Sequence, residues 1–221
     1  MNVIVIATYN EAETIGEILE KLKGDGIHIV VVDDSSPDGT GVIASKYDYV
    51  SVYNRTWKRG IASAYYDGFM IALGLRPEYI IQMDAGLTHK PIDAGRMLNV
   101  AMQEINDLTI GARFWAGYER TGYRTLISLT AAWLMRVAGI YVTDATNGFR
   151  VWRADLLRQV IADPFESHGF AFQLETLARA HALDANIAEI PIEYRRSNSS
   201  FRPWMLIEAL RIYFKIWRNN G

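Results

Sequence analysis

The chain has 221 residues, half of them apolar, with 23 basic and 25 acidic side chains, a formal charge of −2 and no cysteine. That composition excludes intrinsic disorder, a collagen-like chain, a disulfide framework and a thiolate metal site, and it lacks the basic excess of a dedicated nucleic-acid binder. The length suits one domain with a substantial core. The apolar stretches at 126–138 and 204–217 fall short of a membrane span or are broken by arginine or lysine. Met1-Asn2-Val3-Ile4-Val5-Ile6 has no basic leader region and reads as a strand. The expected setting is cytoplasmic, with a peripheral position on the inner face of a membrane as its furthest extension.

In chain order, short β-branched runs alternate with helical patterns, the signal for βαβ units and a parallel sheet. Residues 3–7 predict a strand. Residues 11–23 predict a helix with Ile15, Ile18, Leu19 and Leu22 on one face, ended by Gly24-Asp25-Gly26. Strands follow at 28–32, 50–53, 79–83 and 108–112, with helices at 40–46, 61–73 and 91–104 between them. Beyond 112 the pattern changes: 114–122 reads as a loop, 123–138 and 172–182 as helices, and 187–192 as a late strand. The class is α/β, a Rossmann-like, mostly parallel sheet flanked by helices. A single domain over 1–221 is expected, with a nucleotide-binding half at 1–112, an acceptor half at 113–202 and an amphipathic helix at 203–221.

Ligands of an open parallel sheet bind at the carboxyl ends of its strands. Three such ends are polar here: Thr8-Tyr9-Asn10-Glu11, Asp33-Asp34-Ser35-Ser36 and Asp84-Ala85-Gly86. Neither a P-loop nor a GxGxxG follows the first strand. Acidic strand ends suit hydrogen bonding to a base and ribose, and a divalent cation that neutralises a diphosphate. Each alone reads equally as a turn, a helix cap or a plain strand exit. Their joint occurrence at successive strand ends favours a nucleotide site.

These segments resemble glycosyltransferase family 2, and within it the dolichol- or polyprenol-phosphate sugar synthases. The likeness runs through Ala7–Glu13, Val31–Thr40, Gln82–Pro91, Gly111-Ala112-Arg113, Asp144–Arg150, Gly169–Glu175 and Glu189–Ile192. It implies a GT-A fold and inverting transfer of a hexose from a UDP- or GDP-linked donor to a polyprenyl phosphate. Carried over by position, Ala7, Tyr9 and Glu11 match the first nucleotide loop, and Asp33 and Asp34 the pair that reads base and ribose. Asp84 and Ala85 begin the DxD motif, and Asp84 matches the carboxylate that places metal and diphosphate. Arg113 and Arg150 match arginines near the sugar and acceptor phosphates, where a planar fork suits bidentate contact. The implied cofactor is a divalent cation, Mg2+ or Mn2+.

The sequence departs from the family at Gly86, which replaces the second aspartate of the motif, and at Thr88, where a glutamine is often found. Three accounts stay open: a cation held by Asp84, the diphosphate and water with help from His89; metal-free transfer with Arg113, Arg150 and Lys90 on the leaving diphosphate; or a silent nucleotide-sugar-binding protein. The acceptor is open too. A phosphate needs no general base, whereas a hydroxyl of a modified nucleic acid, protein or glycan does. Asp144 is the first candidate for that base, with Glu175 and His168 behind it. Glu175, Arg195, Arg196 and Arg202 are the further acceptor-binding candidates. In 203–218, Glu208, Arg211, Lys215 and Arg218 form a polar stripe opposite Trp204, Leu210, Phe214 and Trp217. Such a helix fits a membrane surface, the protein's own core or a homo-oligomer.

Overall fold

Strand β1 (Asn2–Thr8) buries Val3 and Val5 on one face and Ile4 and Ile6 on the other, because successive side chains alternate and a helical layer covers each side. The computed structural model describes residues 1–57, 60–113 and 123–194, with 208, 211, 214 and 215 beyond them. Within these, β1 lies inside a sheet with β2 (Ile27–Asp33), β3 (Val50–Asn54), β4 (Tyr79–Asp84), β5 (Leu108–Ala112), β6 (Arg150–Arg153) and β7 (Ile187–Pro191). The spatial order is β3-β2-β1-β4-β6-β5-β7. Neighbours pair in parallel except at β6, which runs antiparallel between β4 and β5.

The helices are α1 (Ile15–Leu22), α2 (Thr40–Ala44), α3 (Ile61–Gly74), α4 (Pro91–Gln103), α5 (Tyr123–Val137), α6 (Ala154–Val160) and α7 (Phe172–Ala182). On one face of the sheet Val3, Val5, Val30 and Val32 pack with Tyr65 and Phe69 of α3, Leu157 of α6 and Phe172 of α7. On the other, Ile4, Ile6, Ile29 and Val31 meet Ile15, Ile18 and Leu19 of α1 and Met97 of α4. A Cβ on Gly68 would stand 2.5 Å from Val5 Cγ1 and 3.0 Å from Val32 Cγ2. The bare Cα there lets α3 lie directly on β1 and β2, which brings Tyr65 to the end of β4.

Among the described residues the predicted elements are found with two differences, while the 114–122 loop and most of the 203–221 helix lie outside those residues. Helix α1 starts at Ile15 rather than at residue 11, because Asn10 is left-handed (φ 59°) and the Glu11 carbonyl closes a turn with the amides of Thr14 and Ile15. Strand β6 and helix α6 were not foreseen. A four-residue strand with arginine at both ends lacks the apolar run that marks a buried strand, yet Val151 and Trp152 are fully buried in it. No helix among the described residues is long and apolar enough to cross a membrane.

Candidate active site

The sheet register sets the acidic strand ends side by side: Asp33 pairs with Thr8, and Asp84 with Ala7. The loops after β1 and β2 are then joined by side chains. The amides of Asn10, Glu11 and Ala12 donate in turn to Ser36 Oγ (3.0 Å), Thr40 Oγ1 (2.9 Å) and Asp38 Oδ2 (3.0 Å). Asp38 Oδ1 also accepts from the Thr40 hydroxyl and amide, and the hydroxyl bond above all holds its carboxyl below the usual range. These first-loop amides therefore form no anion cradle. Tyr9 of this loop is 38% exposed, and Ala7 and Ala85 line the strand ends beside it.

Asp33 and Asp34 lie where expected, each with protein partners. Asp33 accepts from the Ser36 amide (3.0 Å) and hydroxyl (2.5 Å). Asp34 accepts from the Gly60 amide (2.9 Å) and pairs with buried Arg55 (3.0 Å). Arg55, which the sequence reading passed over, holds this strand end in place. The structure thus assigns both carboxylates a shaping role in the loop.

Asp84 closes β4. Its Oδ1 is 3.0 Å from the hydroxyl of Tyr65, whose ionisation burial pushes well above the usual range, so that Tyr65 keeps one proton to share between Asp84 and the Met83 carbonyl at 2.9 Å. No described residue bonds Asp84 Oδ2. Beside it, the Thr14 hydroxyl lies 2.9 Å from Glu11 Oε2 and 3.3 Å from the Ala85 carbonyl, fixing the Glu11 carboxylate at the Asp84-Ala85-Gly86 turn. Across from Asp84, a Cβ on Gly148 would stand 2.8 Å from Gln173 Nε2 and 3.7 Å from Asp84 Oδ1. Gln173 is buried and its Oε1 has no partner among the described residues. Tyr65, Thr14 and Gln173 were missed because each sits in or just before a helix, where its polarity reads as ordinary.

His89 is buried, with its ring 4.8 Å from that of Phe149 and 5.3 Å from that of Tyr194. Its Nε2 meets Asn147 Oδ1 at 3.1 Å. That oxygen is identified by the Phe149 amide it accepts, while Asn147 Nδ2 donates to the Gly111 carbonyl. Nε2 therefore carries the proton and Nδ1 a bare lone pair, unpartnered among the described residues. Burial pushes the imidazole below its ordinary range. No three His, Cys, Asp or Glu side chains among the described residues converge as a metal cage, and His89, expected as a ligand, stands here as a neutral, buried imidazole packed on Phe149 and Tyr194.

On the acceptor side three further expectations are corrected. Arg150 is fully buried and donates to the carbonyls of Asn147 (3.0 Å), Gln173 (2.9 Å) and Ala145 (2.9 Å) and to Thr176 Oγ1 (2.9 Å). Burial lowers it to about 9, which leaves it charged at neutral pH. Four of its five N–H donors knit the 145–147 turn to α7, and its full burial keeps it from a phosphate. Asp144, the candidate base, accepts from the Arg113 amide (3.1 Å), Nε (2.7 Å) and an Nη (2.7 Å). Glu175 accepts from the amides of Glu166 and Ser167, the Ser167 hydroxyl and Arg179, so it holds the 166–167 turn instead of an acceptor. Lys90 is paired with Glu193. His168 is exposed, and its amide donates to Glu208. Arg195, Arg196 and Arg202 lie outside the described residues.

The donor set fits a hard cation that completes its shell from a ligand. Asp84 Oδ2 and Glu11 Oε1 are carboxylate oxygens without a described partner, and cations of this kind are commonly held by one or two carboxylates plus substrate phosphates. The residues first expected to meet the diphosphate without metal (Arg113, Arg150 and Lys90) are all engaged elsewhere.

The sequence profile described as glycosyl transferase family 2 matches residues 3–162. The chain is 35% identical over 201 residues to an undecaprenyl-phosphate mannosyltransferase of Micrococcus luteus, covering 86% of this chain and 82% of that one. It is 34% identical to a polyprenol monophosphomannose synthase of Mycolicibacterium smegmatis, covering 86% of this chain and 76% of that one. Among solved structures, glucosyl-3-phosphoglycerate synthase from Mycobacterium tuberculosis in complex with Mn2+, UDP and glucosyl-3-phosphoglycerate aligns with TM-score 0.74 at 17% identity, over 99% of this chain and 80% of that one. Mannosyl-3-phosphoglycerate synthase from Rubrobacter xylanophilus aligns at TM-score 0.71 and 15% identity, over 100% and 75%. These likenesses establish the GT-A fold.

Proposed function

The chain belongs to glycosyl transferase family 2, and from that premise we propose that this glycosyltransferase moves a hexose, with inversion, from a UDP- or GDP-linked donor to a polyprenyl phosphate. One observation carries the choice of acceptor. Asp144 and Glu175, the carboxylates that stood as candidate general bases, have their oxygens taken by Arg113 and by the 166–167 turn with Arg179. A hydroxyl acceptor needs a base to take its proton, and of the three candidates only His168, exposed at the surface, is left for it. A phosphate monoester arrives as an anion, so positioning and charge suffice. The names of the two mannosyltransferase relatives agree with that acceptor and favour mannose.

In this reading the joined loops after β1 and β2 hold the nucleoside, and Asp84, oriented by Tyr65, stands at the diphosphate. A bound divalent cation would neutralise charge developing on the leaving nucleoside diphosphate. An acceptor phosphate oxygen attacks the anomeric carbon from the face opposite that diphosphate. One C–O bond forms as the other breaks, and no enzyme proton moves.

Residues 203–218 support a place at the membrane surface. Glu208 accepts from the amides of His168 and Gly169, and Lys215 pairs with Glu166, so both polar residues engage the protein body. Phe214 is 61% exposed. An exposed aromatic next to a lysine suits the headgroup layer of a membrane.

The test is transfer of labelled mannose or glucose from GDP- and UDP-sugars to undecaprenyl phosphate with Mn2+. Wild type forms the lipid-linked sugar and Asp84→Ala does not. Full activity in Asp84→Ala, or transfer to hydroxyl acceptors alone, overturns the reading.

A further inference from the structure

At Gly86 the chain lacks the second aspartate of its family's metal motif, and the structure shows what faces that position. A Cβ built there meets Glu11 Oε1 at 3.5 Å, Glu11 Oε2 at 3.9 Å and the Thr88 methyl at 3.8 Å, all ordinary contacts. Its backbone is not left-handed, since Gly26, Gly39, Gly60 and Gly139 are the glycines with positive φ among the described residues. Nothing steric therefore requires glycine. What distinguishes the position is that another carboxylate, that of Glu11, already faces it.

We propose that Glu11 serves as the second carboxylate of the cation site in place of the aspartate missing at 86, so that a divalent cation binds Asp84 and Glu11 only together with a nucleotide diphosphate. The proposal rests on the transferase reading above and deepens it. Glu11 is placed for this from three directions. Its amide is fixed by Thr40 Oγ1, its Oε2 by the Thr14 hydroxyl, and that hydroxyl also reaches the Ala85 carbonyl, next to Gly86. Its Oε1 is left toward the turn, as Asp84 Oδ2 is left by Tyr65.

Two independent observations point to a ligand at this spot. The first is the unanswered charge of a diphosphate: the amides of residues 10–12 are capped by the second loop, and Arg113, Arg150 and Lys90 are all engaged. The second is the buried amide of Gln173, drawn up to Asp84 across the bare Cα of Gly148, with its Oε1 unpartnered among the described residues. An orphaned acceptor at that depth is costly unless a ligand supplies a donor, and a sugar hydroxyl of a nucleotide sugar whose diphosphate lies at Asp84 is such a donor. Two carboxylates without a third ligand are too few to hold the cation alone, and the phosphate oxygens complete its shell. Binding of cation and nucleotide is then strongly and reciprocally coupled.

The experiment measures Mn2+ and nucleotide binding, with no turnover, on the full chain. Free Mn2+ is followed by electron paramagnetic resonance, and GDP and UDP affinities are measured with and without Mn2+. Wild type is expected to bind Mn2+ weakly alone and at least about tenfold more tightly with its preferred nucleotide. Glu11→Gln brings that enhancement below about twofold, whatever it does to the metal-free nucleotide affinity. Gly86→Asp in the Glu11→Gln background restores it. Gly86→Asp in the wild-type background, with a third carboxylate, binds Mn2+ without nucleotide. An undiminished enhancement in Glu11→Gln, or no gain from Gly86→Asp in either background, overturns the proposal. Absence of nucleotide binding by wild type, with or without Mn2+, overturns the transferase reading itself.

Discussion

The guanidinium of Arg113 closes on the carboxylate of Asp144 through two bonds of 2.7 Å, and the same Nη that makes one of them also donates to Thr146 Oγ1 at 2.8 Å. The pair is nearly buried, with side-chain exposures of 15% and 0%, and the Arg113 guanidinium also lies 5.2 Å over the ring of Tyr194. It ties the end of β5 to the turn that leads into β6.

A buried charge left without its partner is far costlier than an exposed one. Asp144→Ala is expected to lower unfolding free energy by about 3–5 kcal/mol, read by urea denaturation. A general base would behave differently, losing turnover while stability held. A variant with unchanged stability and no transfer would return Asp144 to the reaction.

Gly148→Ala places a methyl 2.8 Å from Gln173 Nε2. The far end of a glutamine moves cheaply, so stability should change by under about 1.5 kcal/mol. The displaced amide no longer lines the Asp84 side of the site. The expected signature is a severalfold rise in donor KM at nearly constant Tm, matched by Gln173→Ala. Unchanged kinetics in both variants would remove Gln173 from the donor site.

Burial holds His89 below the 6.5 of a free imidazole, with Asp84, the Asn147 hydrogen bond and Asp144 opposing it and Arg113 reinforcing it. As pH falls through 6.5 the unfolded chain takes up a proton that the folded imidazole resists. Stability therefore falls with decreasing pH in that window and levels off below the folded pKa. Between about pH 8 and about pH 5.5 wild type should lose more stability than His89→Gln. Parallel curves for the two proteins would contradict this.

Phe214→Glu tests the lipid-facing reading. Phe214 is 61% exposed, so thermal stability should be unchanged, while sedimentation with anionic phospholipid vesicles should drop severalfold. An unaltered bound fraction would count against a membrane role for 203–218.

The strands and helices of the first half were legible because their apolar residues recur at the strand and helix periods, and β1, β2 and α1 bury the residues those periods select. Asp84 was legible for a related reason: a carboxylate at the end of an apolar strand must face the ligand edge of the sheet. Arg150 was not. Its letter gives charge, whereas its function is set by burial among four acceptors brought from the 145–147 turn and α7. Strand β6 escaped for the same reason, since Arg150 at its start reads as solvated. Tyr65 and Gln173 reach Asp84 through the packing of α3 and α7, which no local spacing reports.

The three bonds that run from the amides of Asn10, Glu11 and Ala12 to Ser36, Thr40 and Asp38 make the two nucleotide loops a single mechanical part. A substitution on one loop is transmitted to the other through the peptide backbone. With the nucleoside held there as proposed, exchanging the 8–12 segment for that of a relative with another nucleotide should succeed only when 34–40 travels with it.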